Sequence, residues 1–172
     1  MLKVILIIVI FTLSVTIGYI YGDSFRKRVT HLKEINKSLI LLQNEVVYMN
    51  AALPIAIEDI AIKANEPLAD FLLKVSESLK EGSEGDVYSS FKKVYRDYED
   101  EFYLEKEDKS ILEDFVKSLG ESGVYGQDKI FNLVLENLKV NIEEASENSK
   151  KNVKLYRSLG LCVGAMISIF IL

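Results

Sequence analysis

An all-α fold is what this sequence predicts, a cytoplasmic bundle of about six helices flanked by an N-terminal and a C-terminal transmembrane helix. Three observations predict it. The chain begins and ends in apolar sequence, with no charge in residues 4–21 (VILIIVIFTLSVTIGYIY) and none in residues 159–172. The acidic middle spaces its apolar residues three and four apart, as an amphipathic helix does. No run in it alternates with the period of two that a half-buried strand needs.

The first apolar run is long enough to span a bilayer. As a helix its 18 residues cover roughly 27 Å, close to a hydrocarbon core of about 30 Å. β-Branched residues lower helix propensity in water, but in lipid a helix satisfies each backbone polar group within the segment. A cleaved secretory signal is the competing reading. The run exceeds the usual apolar region of about 7–15 residues, and no small-x-small cleavage site precedes Asp23. Residues 1–22 are therefore expected to be an uncleaved anchor.

The last run is shorter. Residues 159–172 alone would cover about 21 Å, and counting back to Leu155 brings the helix near 27 Å. Arg157 then snorkels its guanidinium toward the headgroups and Tyr156 sits at the interface. Residues 155–172 are read as the second span. Gly160, Gly164, Ala165 and Ser168 permit close helix contact there, the two glycines forming a small-xxx-small pair.

Flanking charges set the orientation. Arg26, Lys27, Arg28 and Lys33 follow the first span, and Lys150, Lys151, Lys154 and Arg157 precede or open the second. Beyond the spans there is only Lys3. By the positive-inside rule, residues 23–154 belong in the cytoplasm. With Lys3 set aside, residues 23–157 carry 20 basic against 26 acidic side chains. Net acidity, with basic clusters confined to the membrane flanks, argues against a nucleic-acid partner, while those flanks attract anionic lipid. The single cysteine, Cys162, lies in the second span, so no disulfide framework is available. The single histidine, His31, has no second His or Cys with which to build a zinc site.

The elements of the middle follow in order. Phe25, Val29, Leu32, Ile35, Leu39, Leu42, Val46 and Met49 form one stripe, so a helix is expected to run out of the first span to about Asn50. Pro54 limits it and suits the first turn of a short helix over 54–64, carrying Ile55, Ile57, Ile60 and Ala61. Asn65-Glu66-Pro67 is a stop and restart, with Asn65 as cap. The next helix, 67–80, places Leu68, Phe71, Leu72, Val75 and Leu79 on one face; residues 82–85 (GSEG) make a loop and Asp86 caps the helix after it. That helix carries Val87, Phe91, Val94, Tyr98 and Phe102. A fifth, 107–119, presents Ile111, Leu112, Phe115, Val116 and Leu119 and is expected to end on a left-handed Gly120. After a turn over 121–126, the final helix starts near Gln127 and carries Ile130, Val134, Leu138 and Ile142 toward the second span.

Three features invite a chemical reading. Asp97, Glu99, Asp100, Glu101, Glu105, Glu107 and Asp108 form a dense carboxylate run that lacks the ligand spacing and glycine of a calcium loop. Interleaved Tyr95, Tyr98, Phe102 and Tyr103 point inward, which leaves the acids on a solvated face suited to docking a partner. The loop 82–85 has no following Lys-Ser/Thr and no preceding strand, so it is not a phosphate cradle. Asn36, Gln43, Glu45 and Asn141, on inner helix faces, are expected to fix register within the bundle. No nucleophile–base pair is visible, and neither a catalytic residue nor a cofactor is expected.

The N-terminal span, the basic flank Phe25-Arg26-Lys27-Arg28 and residues 39–48 (LILLQNEVVY) resemble the stage III sporulation protein AB family of endospore-forming bacteria. So do Leu53 and Ala56, the helix end Leu119-Gly120, Gln127 seven residues later, and the Leu-Gly-rich closing span. The resemblance runs the length of the chain. Two departures are Ala51-Ala52 where the family usually has Thr-Pro, and Gly123 where it usually has aspartate.

What the resemblance implies is a fold like the cytoplasmic domain of type II secretion F-type platform proteins. It also implies a non-enzymatic role in a secretion-like channel apparatus, in the mother-cell membrane facing the forespore. The implied partners are a cytoplasmic secretion-type ATPase and other membrane subunits of the channel, with a homo-oligomer left open. Asp97, Glu99, Asp100, Glu101 and Glu105 are the expected docking face. The alternatives are a membrane-anchored helical scaffold or signalling protein without a secretion role, and a carboxylate-based hydrolase.

Overall fold

The computed structural model describes residues 2–82, 84–121 and 124–171. Its helices are α1 (Leu2–Gln43), α2 (Leu53–Ala61), α3 (Leu68–Glu81), α4 (Val87–Tyr98), α5 (Lys106–Glu121) and α6 (Val124–Ile171). A π-helical turn, Asn44–Tyr48, closes α1, and no strand occurs among the described residues. The helices pack as two compact units: Met1–Val29 with Glu143–Leu172, and Thr30–Ile142. The long helices α1 and α6 contribute to both.

Within Thr30–Ile142 the core is the set of stripes that the spacing predicts. Leu32, Ile35, Leu39, Leu42 and Val46 face inward from α1 and its closing turn. Ile57, Ile60, Phe71, Val75, Val94, Leu112, Phe115, Phe131, Val134 and Leu138 are buried from the other helices. The stripe fails at its end, because Met49 is 73% exposed. A π turn holds one more residue than an α turn, which rotates everything after it away from the face that Val46 occupies. Its bond runs from the Met49 N–H to the Asn44 carbonyl at 3.0 Å, and Asn50 then turns the chain at φ 57°.

The short helices are held by local chemistry. Ala52 is extended at ψ 133°, and Pro54 sits in the first turn of α2, where its missing N–H costs no intrahelical bond. The buried Ser76 hydroxyl donates to the Pro54 carbonyl at 2.7 Å and ties α3 to α2. The start of α3 differs from expectation: Asn65 does not cap it through its side chain, and its N–H donates to Glu34 Oε1 at 3.2 Å instead. Gly82 ends α3 at φ 65°, a conformation that needs no Cβ. Phe71 is edge-on to Phe91 at 5.2 Å and to Phe102 at 5.6 Å, and it centres an aromatic cluster under α4.

Two helix ends also depart from the sequence reading. Gly120 is an ordinary residue within α5 and takes no left-handed cap conformation. α6 is already helical from Val124, so the expected turn does not reach Gly126; residues 122 and 123 lie outside the described residues.

Asp86 caps α4 as its position predicts, accepting from the Ser89 N–H at 2.8 Å and the Ser89 hydroxyl at 2.9 Å. The backbone bond, then the hydroxyl, holds its carboxyl below the usual carboxylate value. A lowered folded value gives stability that is present above the ordinary carboxylate range and lost as pH falls through the lowered value. Asp86→Ala is therefore expected to lower the melting temperature at neutral pH, and the gap to wild type should close in acid. A gap that stays constant from pH 7 to about pH 2 would remove the carboxylate from this account.

The other unit, Met1–Val29 with Glu143–Leu172, is a close-packed helix pair. A Cβ built on Gly18 would lie 2.7 Å from the Tyr156 carbonyl oxygen and 2.9 Å from Gly160 Cα. The small residues thus work on both helices, since Ser14 and Gly18 lie against Gly160 and Gly164, and Gly22, four residues on, lies against Val153. The Ser14 hydroxyl donates to the Gly160 carbonyl at 2.9 Å. Thr12, Thr16 and Ser168 return their hydroxyls to carbonyls four residues earlier, at 2.7–2.8 Å, which satisfies them inside apolar sequence. Both helices are long and apolar enough to cross a membrane.

Candidate functional site

The carboxylate run forms the connection between α4 and α5 more than a helix face. α4 stops at Tyr98, four residues before Phe102, the last position of the predicted helical stripe. Glu99, Asp100 and Glu101 make a turn, with the Glu101 N–H donating to the Tyr98 carbonyl at 3.0 Å. Asp97, Glu99, Asp100, Glu101 and Glu105 are all exposed. Tyr98 and Phe102 point inward beneath them, whereas Tyr103, also expected inside, is 39% exposed.

Positive charge partly offsets this surface. Lys109 Nζ contacts Glu99 Oε1 at 2.6 Å, and this bond is the main cause that raises the Lys109 ammonium above its ordinary value. Lys74 lies 5.1 Å over the Tyr98 ring, and the Tyr98 hydroxyl donates to Asp70. The surface is therefore acidic at Asp97, Asp100 and Glu101 and neutralised at Glu99.

Asp108 does not belong to the solvated face. It is fully buried, accepting from the Glu105 N–H at 2.9 Å and from Asn141 Nδ2 at 2.7 Å. The first bond caps α5, and the second ties α5 to α6. A buried carboxylate is tolerated when such bonds compensate for its lost hydration. Gln43 behaves similarly, donating to Asp128 at 3.0 Å and to Asn132 at 3.1 Å. Of the inner polar residues, Gln43 and Asn141 thus link helices as expected, while Asn36 and Glu45 are half-buried.

His31 is structural. Its Nδ1 accepts from the Tyr103 N–H at 3.2 Å, and its ring meets Phe102 edge-on at 5.8 Å. Among the described residues no three His, Cys, Asp or Glu side chains are grouped as a metal would need. A cavity of about 90 Å³ inside the bundle is lined by apolar side chains such as Leu39, Leu42, Ile57, Phe71, Val75 and Phe115. The exposed acids do not converge in it.

The basic flanks differ among themselves. Arg26, Lys27, Lys150, Lys151 and Lys154 are exposed, Arg157 is partly covered, and Arg28 is only 6% exposed. Arg28 is therefore a packed residue and contributes little to the outward positive surface.

Residues 3–172 match the family described as stage III sporulation protein AB. The chain belongs to that family. Stage III sporulation protein AB of Bacillus subtilis (strain 168) is 25% identical over 175 residues, covering 100% of both chains. A solved structure of stage III sporulation protein AB (SpoIIIAB) matches with a TM-score of 0.67 and 22% identity, over 72% of this chain and 96% of that one. That likeness shows a shared all-helical fold. As a stage III sporulation protein AB family member, the chain is a sporulation protein whose two end helices can cross a membrane.

Proposed function

We propose that this protein is a non-enzymatic membrane platform of a secretion-like apparatus in endospore formation, docking a cytoplasmic secretion-type ATPase on its helical bundle. The observation that carries the reading is the family match over residues 3–172, combined with two membrane-grade helices near the two ends of an otherwise helical chain. Positive flanks at both membrane helices favour a cytoplasmic bundle, which puts it on the side where a nucleotide-driven partner operates. Nucleotide hydrolysis then belongs to the partner, in keeping with exposed acids that do not converge on the bundle's apolar cavity.

The exposed acids of the α4–α5 connection are the proposed contact. Reversing Asp97, Asp100 and Glu101 to lysine is expected to weaken ATPase binding by roughly tenfold or more at low salt, the range that charge steering supplies. The loss should shrink at high salt, where exposed charges are screened. Glu99 is left unchanged because Lys109 already holds it. Co-purification of the full-length protein from membranes, with and without the three reversals, tests both claims. Failure to recover an ATPase with wild type overturns the platform reading, and equal recovery by both proteins dismisses this surface.

A further inference from the structure

We propose that a basic groove in the membrane-helix pair, formed by Arg26, Lys150, Lys154 and Arg157, binds the phosphate headgroup of an anionic phospholipid. The groove is shallow and open and offers about 400 Å³; two serines, Ser149 and Ser158, also line it, and no carboxylate does. Lys150, Lys154 and Arg157 thus stand together along a lining that holds no anion, so a negative group arriving there meets net positive charge.

Arg157 supplies the second observation. Its guanidinium lies over the Tyr19 ring at 4.2 Å, and its Nε and Nη2 are buried with no hydrogen-bond partner among the described residues. Charged donors left unsatisfied away from water are costly, so a guanidinium that turns from the Tyr19 ring toward the groove it lines gains from an acceptor oxygen what the chain does not provide. A phosphodiester suits this need: it only accepts, it carries negative charge, and its oxygens match the planar fork of arginine.

The height of the groove is right for a headgroup. Arg157 stands two residues before the charge-free stretch 159–172, and Arg26 five residues after the charge-free stretch 4–21. Between them Tyr156 packs on Tyr21 at 4.6 Å and on Phe25 at 5.6 Å, an aromatic layer of the kind found where acyl chains meet headgroups. Basic pockets between membrane helices at this level are known to hold anionic headgroups.

Native mass spectrometry of the full-length protein, released from nanodiscs of phosphatidylglycerol and phosphatidylcholine in equal parts, tests the proposal without any protein partner. Wild type is expected to retain phosphatidylglycerol in preference to phosphatidylcholine. Arg157→Gln and Lys154→Ala should each weaken retention by about fivefold, the size expected for one basic residue at an anionic surface. Arg157→Lys should also weaken it, because charge alone does not replace the fork, and this variant guards against misfolding of the glutamine variant. Lys33→Ala, a basic change outside the groove, should leave retention unchanged. Equal losses in Lys33→Ala and Arg157→Gln would mean diffuse attraction and overturn the site. Equal retention of the two lipids would overturn a charged ligand. Displacement by millimolar inorganic phosphate would transfer the site to a soluble anion and overturn the lipid assignment.

Discussion

Phe131→Ala is expected to destabilise the bundle by about 3–5 kcal/mol, the range for deleting a buried aromatic ring. The side chain is fully buried, and its ring meets Phe115 edge-on at 5.1 Å. The same face of α6 carries Val134 and Leu138 at 3% and 0% exposure, so little free side-chain motion is available to refill the space. Leu133 on the opposite face is 60% exposed, and Leu133→Ala should change stability by no more than about 0.5 kcal/mol. Denaturant titration of both full-length variants in micelles, followed by tyrosine fluorescence, separates the two. Similar midpoints for the pair would show that this stripe does not carry the core.

The same stripes explain how much of the fold was legible. Helical spacing is a local property, so Leu32 through Val46, Phe71 and Val75, and Val134 and Leu138 could be placed inward from sequence. The π turn could not be read. One extra residue in a turn has no compositional mark, and only the exposure of Met49 betrays it. Phe102 shows another limit: it holds a helical position relative to Tyr98 and is buried, yet it reaches the core from a loop. Gly120 shows a third, because glycine permits a left-handed cap but does not impose one.

At the candidate site, exposure was legible and pairing was not. Asp97, Glu99, Asp100, Glu101 and Glu105 lie in a polar run and are exposed as that run implies. Asp108 sits in the same run yet is buried, which no local pattern reveals because its partner Asn141 is 33 residues away in sequence. Its position early in α5, three residues after Glu105, was the one local signal that it could bond backward to a helix start. Likewise, Ser14 and Gly18 stand four residues apart in the sequence, but only the facing Gly160 gives that spacing meaning.

That facing pair yields a graded series of expected effects. Gly18→Ala and Gly160→Ala should be the most damaging of the glycine changes in this helix pair, at about 1–3 kcal/mol, because an added methyl meets backbone and forces the helices apart. For Gly18 the obstructing atoms are the Tyr156 carbonyl oxygen at 2.7 Å and Gly160 Cα at 2.9 Å; for Gly160 they are the Ser14 carbonyl oxygen at 2.9 Å and Gly18 Cα at 3.0 Å. Backbone in a helix cannot rotate away as a side chain can. Gly164→Ala should cost less, since its nearest obstacle is a Phe11 ring carbon at 3.1 Å, and Gly22→Ala less again, with the Val153 carbonyl oxygen at 3.3 Å. Ser14→Ala removes the bond to the Gly160 carbonyl but leaves the helix contact, and such bonds in membrane proteins average about 0.6 kcal/mol. Contact therefore outweighs hydrogen bonding in holding this pair, and Gly18→Ala should lower the detergent melting temperature more than Ser14→Ala. The reverse order, or equal shifts across the four glycines, would mean that the helices do not approach at Gly18 and Gly160.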